Sequence, residues 1–113
     1  NVNTAVGSRA LTGITTGAEN TAVGYDSLSE CTDAVQCVAV GAYALETNSS
    51  ADRCVAIGYK ALEANQASDL VAVGYYAALK NTTGARNTAT GRQALEQNQT
   101  KCQHSCWICS VWS

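Results

Sequence analysis

The sequence predicts an all-β chain, a parallel β-solenoid or β-roll of about six 17-residue coils. Three observations lead there. Gly7, Gly24, Gly41, Gly58, Gly74 and Gly91 recur along the chain at a nearly constant interval, one lap apart, with a single shortening by one between Gly58 and Gly74. Such an interval is the signature of a repeat array. Each of these glycines is preceded by an alanine held between two β-branched residues, as in Val55-Ala56-Ile57, a period-two pattern that reads as a short strand. Finally, a repeat of this length is too short for a helical hairpin, and the valine-rich segments lack helical periodicity. Coils stacked as parallel strands about 4.8 Å apart would make a stub roughly 29 Å tall, with equivalent residues above one another.

Each lap is then read from its strand onward. The alanine two before the glycine is constant: Ala5, Ala22, Ala39, Ala56, Ala72 and Ala89. A uniformly small side chain means tight space, and either the alanine face or the branched face can point inward. With the branched face inside, the alanines would let identical backbones approach, because one thin coil offers little apolar surface against the entropy of ordering it. The glycine supplies a positive φ or a close backbone passage at a corner. A second short segment follows, with Ala10, Ser27, Ala44, Ala61, Ala77 and Ala94 and then a leucine. The fifth copy has Ala78 with Leu79 one later, an irregularity that predicts a small bulge and the weakest rung.

Polar loops rich in Thr, Ser, Asn, Asp and Gly close each lap and read as turns. Asn48, Asn65, Asn81 and Asn98 recur at one place past the glycine, and asparagine tolerates left-handed turn conformations. The one-residue shortening falls between Asn65 and Leu70, in a loop that can absorb it. Residues 1–100 thus form the repeat array, and 101–113 form a Cys/Trp-rich cap or tail.

Composition bounds the function. The chain has 113 residues, 46% hydrophobic and 14% charged, which suits a single globular domain. With no Phe, Met or Pro and an apolar content dominated by Ala and Val, the interior is expected to be thin. A net charge of -2 provides no basic stripe for nucleic acid, and no apolar run reaches the roughly 18 residues of a membrane span. The chain lacks an initiator Met and opens inside a repeat, so it reads as a processed product or a fragment. Six cysteines point to an oxidising or extracellular setting.

The string Asn-Thr-Ala-Val-Gly-Tyr at residues 20–25, the Val38-Ala39-Val40-Gly41 and Val55-Ala56-Ile57-Gly58 cores, and Asn81-Thr82-Thr83-Gly84 resemble the repeats of bacteriophage tail-fibre and spike proteins. They are also similar to the head repeats of trimeric autotransporter adhesins. The resemblance covers about residues 2 to 100. It implies parallel β-rolls, a homotrimeric fibre, and a place outside the cell, at its surface or on a virion. Its implied function is a structural, self-associating repeat segment; an adhesin or receptor-binding head recognising a surface glycan or protein is the alternative. The cysteines and the tail depart from both families.

Few positions suggest chemistry. Cys37 and Cys54 occupy one repeat position and should stack, within disulfide range, with Cys31 as competing partner. In the tail, Cys102, Cys106 and Cys109 are candidates for disulfides within or between chains. Together with His104 they number four zinc-type ligands at a spacing unlike common sites. Trp107, Ile108, Val111 and Trp112 could instead cover the last coil's edge. Asn48, Asn81 and Asn98 each begin a glycosylation sequence. Tyr25, Tyr43, Tyr59, Tyr75 and Tyr76 follow the glycines closely and are expected to form an aromatic strip, either packed along the flank or presented as a contact surface. No paired carboxylates or nucleophile motif stand apart from the repeat, so no enzymatic activity, cofactor or metal is expected.

Overall fold

A computed structural model describes residues 2–81 and 84–96. Among them the chain is all-β, a parallel β-solenoid whose coils are numbered here 1 to 6 after their glycines. Each coil contributes one three-residue strand: β1 (Thr4–Val6), β2 (Thr21–Val23), β3 (Val38–Val40), β4 (Val55–Ile57), β5 (Val71–Val73) and β6 (Thr88–Thr90). They pair in sequence order, all parallel. The strand alanines superpose without slippage, Ala22 on Ala39, Ala39 on Ala56 and Ala56 on Ala72. The residue missing from coil 4 is absorbed before the next strand, so Val55 still faces Val71.

The alanine face points inward. Ala22, Ala39, Ala56 and Ala72 are fully buried and Ala89 nearly so, while the flanking branched residues lie outside. This corrects the arrangement in which the alanines would face another chain. So short a lap encloses a narrow interior, and on the strand only a methyl group fits. Leu11, Leu28, Leu45, Leu62 and Leu95, each on the turn after its glycine, fill the rest of the core.

The segment after each glycine is a pair of tight turns and not a second strand. The amide of Ala44 bonds to the Gly41 carbonyl at 3.3 Å and that of Asn48 to the Leu45 carbonyl at 3.3 Å. Left-handed residues hold these turns: in coil 3 Tyr43 (φ 62) and Leu45 (φ 51), and before the next strand Arg53 (φ 56). The same three places are left-handed in the other described coils, with φ between 48 and 65. Left-handed backbone costs roughly 1–2 kcal/mol per residue. The offset is hydrogen bonding along the axis. Leu45 N–H donates to Ala61 O of the coil above at 3.0 Å, and Tyr43 N–H to Tyr25 O of the coil below at 2.9 Å. These inter-coil bonds run round the lap, and threonines extend them on the loop side. Thr32 Oγ1, for instance, donates to Ser49 O at 3.0 Å.

Gly58 shows why the corner requires glycine. Its φ is +133, and a Cβ there would lie 2.6 Å from the Gly74 carbonyl oxygen, closer than contacting atoms tolerate. Both expected roles, positive φ and close approach, apply together. The bulge expected at Ala78 is absent. Ala78 takes the leucine's left-handed conformation (φ 48) and its inter-coil bond, to Ala94 O at 2.8 Å.

Candidate functional site: an apolar sheet face and a tyrosine strip

The outward residues of the six strands make two columns. One runs Thr4, Thr21, Val38, Val55, Val71 and Thr88; the other Val6, Val23, Val40, Ile57, Val73 and Thr90. Neither contains a charge. On the side where the strands begin, Glu19, Arg53, Asp69 and Arg86 stand just ahead of β2, β4, β5 and β6, and two of them are paired: Arg53 Nε lies 2.6 Å from Asp69 Oδ1. The Arg53 guanidinium holds the Asp69 carboxyl below its usual range. On the opposite border Arg9 Nε contacts Asp26 Oδ1 at 2.8 Å.

Just past the glycine corner, all five predicted tyrosines come together. Tyr25 meets Tyr43 edge-on with ring centroids 5.5 Å apart, and Tyr43 meets Tyr59 edge-on at 5.9 Å. Tyr59, Tyr75 and Tyr76 stack with interplanar angles of 12–20°. The Lys60 ammonium lies 5.5 to 5.9 Å from the rings of Tyr43, Tyr59 and Tyr76, within cation–π range. Glu63, 3.6 Å away, helps hold it there and is the chief cause of its raised pKa. Tyr59, Tyr75 and Tyr76 thus turn a face to one another, and Lys60 lies over Tyr43, Tyr59 and Tyr76. Tyr25, Tyr59 and Tyr75 nevertheless stay about two-fifths exposed.

The interior contains a polar column that the sequence reading assigned differently. In each of coils 1 to 5 one loop carbonyl, at the equivalent place of every lap, accepts a hydrogen bond from an asparagine amide, within the core in coils 2 to 5 and half-buried in coil 1. In coils 1 and 2 the donor precedes the strand: Asn3 Nδ2 donates to Gly17 O at 3.0 Å and Asn20 Nδ2 to Ala34 O at 2.7 Å. In coils 3 to 5 it comes from the recurrent asparagine after the glycine: Asn48 to Ala51 O at 2.9 Å, Asn65 to Ala67 O at 2.8 Å and Asn81 to Gly84 O at 2.6 Å. These asparagines do not have positive φ; Asn20, Asn48, Asn65 and Asn81 are buried donors. The opposite site in each coil holds Ile14, Cys31, Cys37, Cys54 or Leu70. The available signal in the sequence was this exchange between two columns, with an asparagine in one or the other.

That arrangement accounts for the cysteines. Cys31, Cys37 and Cys54 are free, fully buried thiols and not disulfides. Each of the latter two replaces an asparagine and keeps part of its bonding, Cys37 Sγ contacting Ala51 O and Cys54 Sγ contacting Ala67 O, both at 3.4 Å. A hydrogen bond to Cys54 and then burial push the Cys37 thiol up; burial chiefly pushes that of Cys31 up to about 11. The glycosylation candidates are corrected likewise: Asn48 and Asn81 have their amides committed inside the core, leaving no room for a glycan in this fold. Asn98, Cys102, Cys106, Cys109, His104 and the cap proposed for 101–113 lie outside the described residues.

Among the described residues no group of three or more His, Cys, Asp or Glu side chains could hold a metal ion, and no helix is long and apolar enough to cross a membrane. Comparison with family models, curated proteins and solved structures gives no match.

Proposed function

We propose that this chain is a structural repeat segment of an extracellular or virion fibre, self-associating with further copies of itself, and that its role is mechanical and not catalytic. The observation that carries this reading is the unbroken register of all five strand pairs. Neighbouring coils are joined round the whole lap, so separating any two along the axis breaks strand, turn and loop hydrogen bonds together. A rod built so resists extension. The trimeric state follows from the resemblance to phage fibre and autotransporter head repeats. Light scattering with and without reductant tests it: three times the chain mass in both conditions is expected, and a monomer in both refutes it.

The alternative, an adhesin head that grips a surface glycan or protein, is favoured by the exposed parts of Tyr25, Tyr59 and Tyr75. Against it stands the stacking of Tyr59 and Tyr75 on each other and on Tyr76. Sugars stack on open ring faces. A cell-binding or glycan-binding assay with the tyrosines replaced separates the two, since binding lost with those residues would favour the adhesin.

A further inference from the structure

We propose that the outward sheet face and the tyrosine strip are one continuous interface whose occupant is a second copy of this chain. This rests on the fibre reading and names the surface through which the copies meet.

Apart from Val2, the exposed large apolar side chains among the described residues are Val6, Ile57, Val71 and Val73 on the face and Tyr25, Tyr59 and Tyr75 on the strip. The two groups are neighbours in the chain as well as in space, one glycine apart. An exposed apolar patch with a polar border is the anatomy of an interaction surface. Here the side where the strands begin is bordered by the Arg53–Asp69 ion pair, and the Arg9–Asp26 pair ends the column that holds Tyr43 and Tyr76.

Area decides how far the contact extends. Six strands about 4.8 Å apart, each three residues of about 3.3 Å, give a footprint of about 290 Å². A stable interface takes about 800 Å² from each partner. The flat footprint of the sheet face falls well short of that, and the part-exposed tyrosines beyond the glycine corner extend the apolar surface. These are where the remaining exposed apolar surface lies.

Periodicity selects the occupant. The columns repeat once per coil, and a second copy presents ridges and furrows at the same interval, so complementarity found at one coil recurs at the others. A partner without a strand repeat along its surface would match one level and miss the next. On the sheet face the lack of charge in both columns removes the like-charge contacts that identical chains otherwise meet when they pair face to face, and on the strip Lys60 is paired with Glu63.

The test is light scattering over a concentration series, with folding checked by circular dichroism, on the full chain and three variants. Val40→Lys puts a charge in the middle of the face, Tyr59→Ser removes a ring from the strip, and Gln66→Lys alters an exposed loop elsewhere. The parent and Gln66→Lys are expected to associate alike, and Val40→Lys and Tyr59→Ser to raise the dissociation constant by about ten-fold or more. Should Val40→Lys not fold, Val40→Ser gives the same test with a milder change. A folded Val40 variant that associates as well as the parent overturns the assignment of this face while leaving the fibre reading intact. A parent monomeric at every concentration overturns both. Val40→Lys that stays associated but loses capture by a glycan array assigns the face to a carbohydrate and overturns the proposal.

Discussion

The exchange of asparagine between two core columns predicts that the coil needs an inward donor and is indifferent to which column supplies it. Coil 3 allows the test, because Asn48 donates to Ala51 O at 2.9 Å while Cys37 stands opposite. Coil 2 directly below has the reverse arrangement, Asn20 donating to Ala34 O at 2.7 Å with Cys31 opposite. Asn48→Ala strips the buried Ala51 carbonyl of its amide donor, leaving the weaker Cys37 thiol contact at 3.4 Å, and removes the acceptor that Asn65 Nδ2 uses at 3.1 Å. An unsatisfied buried carbonyl costs roughly 1–3 kcal/mol and a lost neutral hydrogen bond roughly 1 kcal/mol, so the variant should lose about 2–4 kcal/mol. Adding the reciprocal change restores the donor. The double variant Asn48→Cys with Cys37→Asn reproduces coil 2, where Asn20 Oδ1 also accepts the amide of the residue above, Cys37, at 2.9 Å. Urea denaturation of parent, both singles and the double makes a cycle. The coupling should exceed about 1 kcal/mol in the stabilising direction. Loss of less than about 1 kcal/mol in Asn48→Ala, or a double variant equal to the sum of its singles, would refute the reasoning.

Three further perturbations address other parts of the fold. Gly58→Ala, which sets a Cβ 2.6 Å from the Gly74 carbonyl oxygen at φ +133, should cost at least about 3 kcal/mol or prevent folding; a melting temperature within a few degrees of the parent's would contradict the close approach. Ala39→Leu overfills the fully buried strand position and should cost about 1–3 kcal/mol, whereas Val38→Thr on the outer face should change the stability of the isolated chain by less than about 0.5 kcal/mol; equal effects would contradict the division into an inner and an outer face. Burial raises the Cys31 thiol from 9.0 to about 11, so its contribution is complete below pH 9 and disappears as pH rises through 11. That shift corresponds to roughly 2–3 kcal/mol, which should vanish from the difference between the pH 8 and pH 12 urea midpoints in Cys31→Val; an identical pH dependence in parent and variant would count against it.

The period, the strand positions, the glycine corner and the loop that takes up the missing residue of coil 4 were all legible in the sequence, because each is a property of single positions repeated down the array. What was not legible depends on relations across a lap. Left-handed backbone falls on Leu28, Leu45, Tyr43, Lys60 and Arg53, residue types that give no hint of it, since the conformation is imposed by the need to aim amides along the axis. Asparagine, the type that does hint at it, is used at Asn48 and Asn65 for its amide. Hydrophobicity alone also misplaces the strand residues, for it would bury Val40 and expose Ala39. The width of the coil reverses that order. The tyrosine strip was legible as a cluster, but its ring-on-ring packing depends on side-chain directions that spacing does not give.

Coil 5 shows how lap length connects the core to the outer surface. Its Ala78 stands where the other coils carry leucine, and its leucine has moved to Leu70, at the site where neighbouring coils place cysteine or asparagine. Leu70 is nearly fully buried and Ala78 occupies the usual conformation, so the lap still encloses one such leucine together with one donor asparagine, Asn81. The interior has room for that set and for a strand methyl group. Larger apolar side chains on the strand consequently have nowhere to go but outward, and stacking the lap turns each of them into part of a column. In a larger coil Val55 and Ile57 could have been buried. In a lap this short they form an apolar stripe on the outside, a consequence of the same restriction that fixes alanine inside.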